Sequence, residues 1–173
     1  NTATVSGGAE TNTANDTASD LTSITATGST NLALGRTATQ SSSYGGTPNA
    51  QKAVDGNTDG NYVDNSVTHS DFQANPWWQV DLAAPATVNS VVVWNRTDCC
   101  SDRLNDYWVF ISNTPFAPSD TPATLQGRAG TWSSHQTAAP TPSTTISFSG
   151  AQGQYVRVQL SNSNYLSLAE VQV

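Results

Sequence analysis

Positive charge is scarce in this sequence: six Lys and Arg stand against thirteen Asp and Glu, for a formal net charge of −7. A nucleic-acid surface needs a basic face to displace phosphate counterions, and an anionic membrane asks for the same sign. Neither partner is expected. Long apolar runs are also missing, and nothing approaches the ~20 residues of a membrane-spanning helix, so membrane insertion is not expected either. Methionine is absent, and cysteine occurs only as the adjacent pair Cys99 and Cys100. Beginning at Asn1 without Met or a leader-like stretch, the chain reads as a mature protein or a piece of a larger, multidomain one. Charged residues make up only 11%, so Thr, Ser and Asn must hydrate the surface, a habit of extracellular β-proteins. A secreted or cell-surface location is expected. Catalytic signatures are lacking too. There is no Gly-x-Ser-x-Gly, phosphate-cradling loop or zinc spacing, and no recognised carboxylate pair of the kind a glycosidase uses. His69, Asp98 and Ser101 form a triad only on paper. An enzyme is not expected.

What is present falls into two stretches. Residues 1–30 hold one Val, one Leu, one Ile and no aromatic side chain, too little apolar surface to offset the entropy of ordering. They read as a linker or arm. From Asn31 onward, β-branched and aromatic runs alternate with Gly, Asn, Asp and Pro clusters: 77–82, 88–95, 107–112, 145–149, 154–160 and 168–173. Residues 154–160 alternate as a strand with one buried face should. No helical period is visible, and 115–142 reads as long loop with one strand. Residues 31–173 are therefore expected to form an all-β antiparallel sandwich without long helices. Asn15 and Asn95 each begin a formal glycosylation triplet.

Cys99 and Cys100 leave two readings open. They are free thiols, or they form a disulfide between neighbours, which is uncommon because ordinary bridges want Cα atoms about 4.4–6.8 Å apart. A vicinal bridge closes no loop and is a poor staple, but it offers a rigid apolar face to a ligand. Arg96 and Arg103 flank the pair. Alone, they read as solvated loop arginines beside Asp98 and Asp102. Residues 53–60, Ala-Val-Asp-Gly-Asn-Thr-Asp-Gly, are rich in oxygen ligands but lack the spacing of an EF-hand.

Together these features make one pattern. His69, 26 residues, Arg96-x-Asp98, four residues containing Cys99 and Cys100, then Arg103 resembles the signature of the F-type lectins, or fucolectins. The opening Asn31-Leu32-Ala33-Leu34-Gly35-Arg36, the segment Pro76-Trp77-Trp78-Gln79-Val80-Asp81-Leu82 and the stretch from Tyr165 to Glu170 are similar to the same family. The resemblance spans about 31–173 and implies a discoidin-like jelly-roll sandwich that binds fucosylated glycans. By similarity, His69, Arg96 and Arg103 would hydrogen-bond α-L-fucose, with Asp98 orienting an arginine. Tyr62 would face the C6 methyl, and a Cys99–Cys100 bridge would pack on the C1–C2 edge. The family also holds a structural Ca²⁺. Carried across, its ligands would be the side chains of Asp55, Asn57, Ser66 and Glu170 and the carbonyls of Lys52 and Ala169. A second cysteine pair found in some members is replaced here by Val67 and Ala169. The alternative reading is a discoidin-type adhesion module for other glycans, or for membrane or protein surfaces.

Overall fold

The computed structural model describes residues 2–4, 17–19, 30–47 and 49–173. Thr2–Thr4 (β1) and Thr17–Ser19 (β2) pair antiparallel. The rest of the expected linker up to residue 29, with Asn15, lies outside the described residues.

Eight further strands follow: Thr37–Gln40 (β3), Gln73–Ala74 (β4), Trp77–Asn95 (β5), Tyr107–Ser112 (β6), Thr131–Gln136 (β7), Ser143–Leu160 (β8), Ser163–Asn164 (β9) and Leu168–Gln172 (β10). All pairings among them are antiparallel. The two expected runs 77–82 and 88–95 are one 19-residue strand, and 145–149 and 154–160 belong to one strand of 18 residues. Each long strand serves both layers of the sandwich. The first part of β5 lies between β3 and the end of β8, and β8 continues through β6 to the edge strand β7. The last part of β5 lies between β10 and the start of β8.

Register shifts between Asp81 and Ala86, and again between Val88 and Ser90, let β5 bend from one layer to the other. The second shift also changes which positions face inward. Trp78, Val80, Leu82 and Val88 are buried before it, and Val91, Val93 and Asn95 after it. A one-residue slip exchanges the faces of a strand, so the bulge keeps apolar residues in the core across the bend. Residues of both layers meet in one cluster that includes Trp78, Val80, Val91, Val93, Ile146, Phe148, Val156, Val158 and Leu160.

Three local expectations need correction. The 154–160 strand was read as having one buried face, but Arg157 and Gln159 are as buried as Val156 and Val158. A short helix, Pro122–Gln126 (α1), and the loop before it cover that second face with Phe116 and Leu125. Thr121 caps α1 and Pro122 starts it, so the stretch read mainly as loop carries a helical turn as well as β7. The Asn95 triplet is not open for glycosylation. Asn95 is 2% exposed, and its Nδ2 donates to the carbonyls of Ser101 and Pro140.

Candidate functional site

Five loops converge at one end of the sandwich, and short backbone contacts hold them there. Tyr44 N–H donates to the His69 carbonyl (2.9 Å). Ser70 N–H donates to Leu166 O, and Leu166 N–H returns a bond to Ser70 Oγ. Thr97 N–H donates to Gly60 O (2.8 Å), so the loop before Tyr62 lies directly on the chain leaving β5. That approach needs a glycine. A Cβ on Gly60 would sit 2.6 Å from the Asn95 carbonyl and 2.7 Å from the Thr97 side chain. Asn95 fixes the exit of the strand, its Oδ1 accepting from Arg96 N–H while its Nδ2 holds Ser101 and Pro140.

A cavity of about 290 Å³ opens between these loops, lined by Tyr44, Tyr62, His69, Arg96, Cys99, Cys100, Arg103 and Tyr165. All six residues expected to contact a sugar lie on it. Cys99 and Cys100 are joined as a disulfide, which decides between the two readings of the pair. Tyr44 and Tyr165 were not expected as site residues. Nothing in their spacing ties them to His69, because the segments meet only through tertiary pairing.

The two arginines are held differently. Asp98 grips Arg96 in a fork, Nε to Oδ1 and NH2 to Oδ2, both at 2.8 Å. The same Oδ1 accepts from Tyr62 N–H (3.1 Å), and the Arg96 guanidinium lies 4.5 Å over the Tyr62 ring. Hydrogen bonding from Arg96 holds the Asp98 carboxyl far below the usual carboxylate range, despite its partial burial. Arg103 has no carboxylate partner among the described residues. Its guanidinium rests on the Tyr165 face at 4.7 Å, a cation–π contact that orients the fork without occupying its donors.

His69 is 5% exposed, with Nδ1 2.7 Å from the Ser70 carbonyl. A carbonyl can only accept, so Nδ1 carries the proton in the neutral ring and Nε2 keeps a lone pair. Burial pushes the His69 pKa below its ordinary value; the Ser70 carbonyl opposes this, while Arg96 and Arg103 add to it. The pocket therefore sets one acceptor beside two forks of donors. Apolar surface comes from the aromatic rings and the disulfide.

The expected metal ligands gather less completely. Asp55 ends a 3-10 turn at Ala50–Val54 that packs on β10. There Glu170 is fully buried; its Oε1 accepts from Gly56 N–H (3.2 Å), and its Oε2 has no partner among the described residues. Burial first, then the charge of Asp55, pushes the Glu170 carboxyl up to about 7. A buried carboxylate with an unpartnered oxygen, its pKa raised by burial and by the charge of a second acid, Asp55, fits a divalent cation. Ala169 falls where the β10 register shifts, and a bulged residue is left out of the ladder. Asn57 and Lys52 belong to the same turn and loop, whereas the Ser66 hydroxyl donates to Asn61 O and to neither acid. Among the described residues no three His, Cys, Asp or Glu cluster as a metal site, so a cation here would need neutral oxygens beside its two acids.

Comparison with known proteins agrees with this fold. The family described as NedA-like, galactose-binding domain matches residues 52–158. Fucolectin of Anguilla anguilla is 34% identical over 149 residues, covering 83% of this chain and 89% of its own. The lectin domain of lectinolysin, solved with Lewis B antigen, superposes with a TM-score of 0.70 at 36% identity, over 84% of this chain and 96% of that one. A Streptococcus pneumoniae fucose binding module gives 0.70 at 33% identity, over 83% and 94%. The chain belongs to the fucolectin family, within the NedA-like, galactose-binding domains. It is a carbohydrate-binding module and not an enzyme.

Proposed function

We propose that this module binds α-L-fucose at the end of fucosylated glycans, in an extracellular setting. The observation that carries the reading is the convergence of His69, Arg96, Arg103, Tyr62 and the Cys99–Cys100 bridge on one small cavity. Fucose presents adjacent hydroxyls, each able to accept and to donate. Arg96 and Arg103 supply charge-assisted donors, and His69 Nε2 accepts a hydroxyl proton, so one sugar satisfies both kinds of group. The C6 methyl needs an apolar wall, which Tyr62 would provide, while the disulfide would pack on the C1–C2 edge. L-Galactose would put a hydroxymethyl there and leave a polar group against that wall. D-Galactose, of the opposite configurational series, cannot present the same set of hydroxyls and methyl to these groups.

Within this reading calcium would serve as a structural ion. Asp55, Asn57 and Glu170, with the carbonyls of Lys52 and Ala169 and with Ser66, would hold it. Its positive charge would neutralise the two acids and tie the 55–61 loop, which leads into Tyr62, to the last strand. Retention on immobilised fucose tests the function. The protein should stay on the resin in calcium and elute with L-fucose but not with D-galactose. Passage through a fucose column by folded, calcium-loaded protein would contradict it.

A further inference from the structure

The geometry points to a second, separate sugar site on this module, one that takes a neutral 2-acetamido pyranose. It does not rest on the fucose reading, because its cavity shares no lining residue with the one around His69. Arg157 and Gln159 of β8 are buried on the face that α1 and the loop before it cover. That cover is tethered but not closed. Trp77 Nε1 donates to Pro118 O (3.2 Å), and Gln159 Nε2 donates to Asp120 O (2.9 Å) and to Asn75 O (3.0 Å). Between the 118–121 loop and residues 73–77 a cavity of about 340 Å³ stays open, against about 290 Å³ for the cavity around His69.

Gln159 marks this cavity as a place for a ligand. It is 1% exposed, yet its Oε1 has no partner among the described residues. Turning the amide round cannot cure this, because Nε2 already serves two carbonyls, which only accept. A buried acceptor left unpaired is costly, so a ligand that brings an N–H or O–H is favoured. The rest of the lining narrows the choice. Among the described residues that line the cavity only Asp120 is charged, and its Oδ2 is held by Ala117 N–H (2.8 Å) and by Arg128 NH1 (3.3 Å). With no Lys or Arg in that lining, an acidic sugar would find no counter-charge. Trp77 and Pro118 supply apolar wall, and Gln73 and Ser119 supply donors. An acetamido group answers that set in one flat unit, with its N–H for Gln159 Oε1, its carbonyl for Gln73 or Ser119, and its methyl for the rings.

Titration with methyl β-N-acetylglucosaminide, followed in proton–nitrogen NMR spectra with and without saturating L-fucose, tests this. The Trp77 indole signal, assigned by its loss in Trp77→Phe, should shift saturably with a Kd of about 1 mM, the scale of a monosaccharide-sized ligand. L-fucose should leave that shift unaltered. Methyl β-D-glucoside, which lacks the acetamido group, should bind about tenfold more weakly or worse. Ser119→Trp, a change on the exposed rim, should obstruct the cavity and raise the Kd about tenfold with Tm unchanged. No saturable shift at Trp77, equal affinity for the glucoside, displacement by L-fucose, or undiminished binding by folded Ser119→Trp overturns the site. Binding of the acetamido sugar by a protein that ignores L-fucose upholds this site and removes the fucose reading alone.

Discussion

His69 and Arg103 show how single side chains set what this pocket can accept. With Nδ1 committed to the Ser70 carbonyl, the ring offers an acceptor only while it is neutral. Its pKa already lies below 6.5, so the neutral form persists through most of the physiological range. Fucose affinity should be flat above that value and fall as pH drops through the lowered pKa, where Nε2 becomes a donor. Titration across that range checks it, and an affinity that rises on acidification would oppose the assigned tautomer. Arg103 makes a sharper case. Among the described residues its donors are spent on nothing else, so Arg103→Ala should raise the Kd for fucose about 100-fold or more, with stability nearly unchanged. At this scale the sequence was informative about identity and silent about geometry. The spacing from His69 to Arg103 singled out residues that, with Tyr62, all meet in one cavity. The tautomer and the roles of Tyr44 and Tyr165 depend on backbone contacts between distant segments, which no local pattern records.

At the scale of elements, the strands were legible and their continuity was not. Alternating apolar residues marked each half of β5 and β8, but the Gly, Ala and Pro between the halves looked like loops. In the fold those residues form the bulges that carry one strand between layers, because the hydrogen-bonded ladder resumes beyond each shift. Buried Arg157 was hidden for a related reason. A charged residue in an alternating strand reads as solvent-facing, yet here it lies between Trp77 and Phe116 at 4.4 and 5.0 Å and donates to Gln79 Oε1. One element-level contact bears on function directly. Gly60→Ala would force the 55–61 loop off the Asn95–Thr97 segment. It should cost about 1–3 kcal/mol of stability in urea unfolding. Fucose binding should weaken along with it, since Tyr62 and Arg96 ride on the two sides of that contact. Unchanged stability and affinity would show that the two segments are not packed this closely.

For the molecule as a whole, Glu170 joins the last strand to the loop that leads into the site, and calcium should decide how firmly. Without the ion, the folded Glu170 holds its proton up to about 7, whereas in the unfolded chain it releases it near 4.5. A raised carboxyl pKa means that the folded state binds the proton more tightly. The contribution of Glu170 to stability is thus full below 4.5 and is lost as pH rises toward 7. In EDTA the Tm should fall over that interval. Calcium at 100 times its Kd should restore roughly 5–10 °C near neutral pH, and Glu170→Gln should abolish the gain. Equal melting curves with calcium and with EDTA would remove the metal from the scheme. The linker expected at 1–30 remains an expectation, since most of it lies outside the described residues.

Isothermal titration with L-fucose in calcium, on wild type and on Arg103→Ala, bears most directly on the central claim. Saturable one-site binding by wild type, with D-galactose silent and the heat lost in a variant that melts normally, is the expected result. Equal fucose binding by Arg103→Ala, or none by folded wild type, would contradict it.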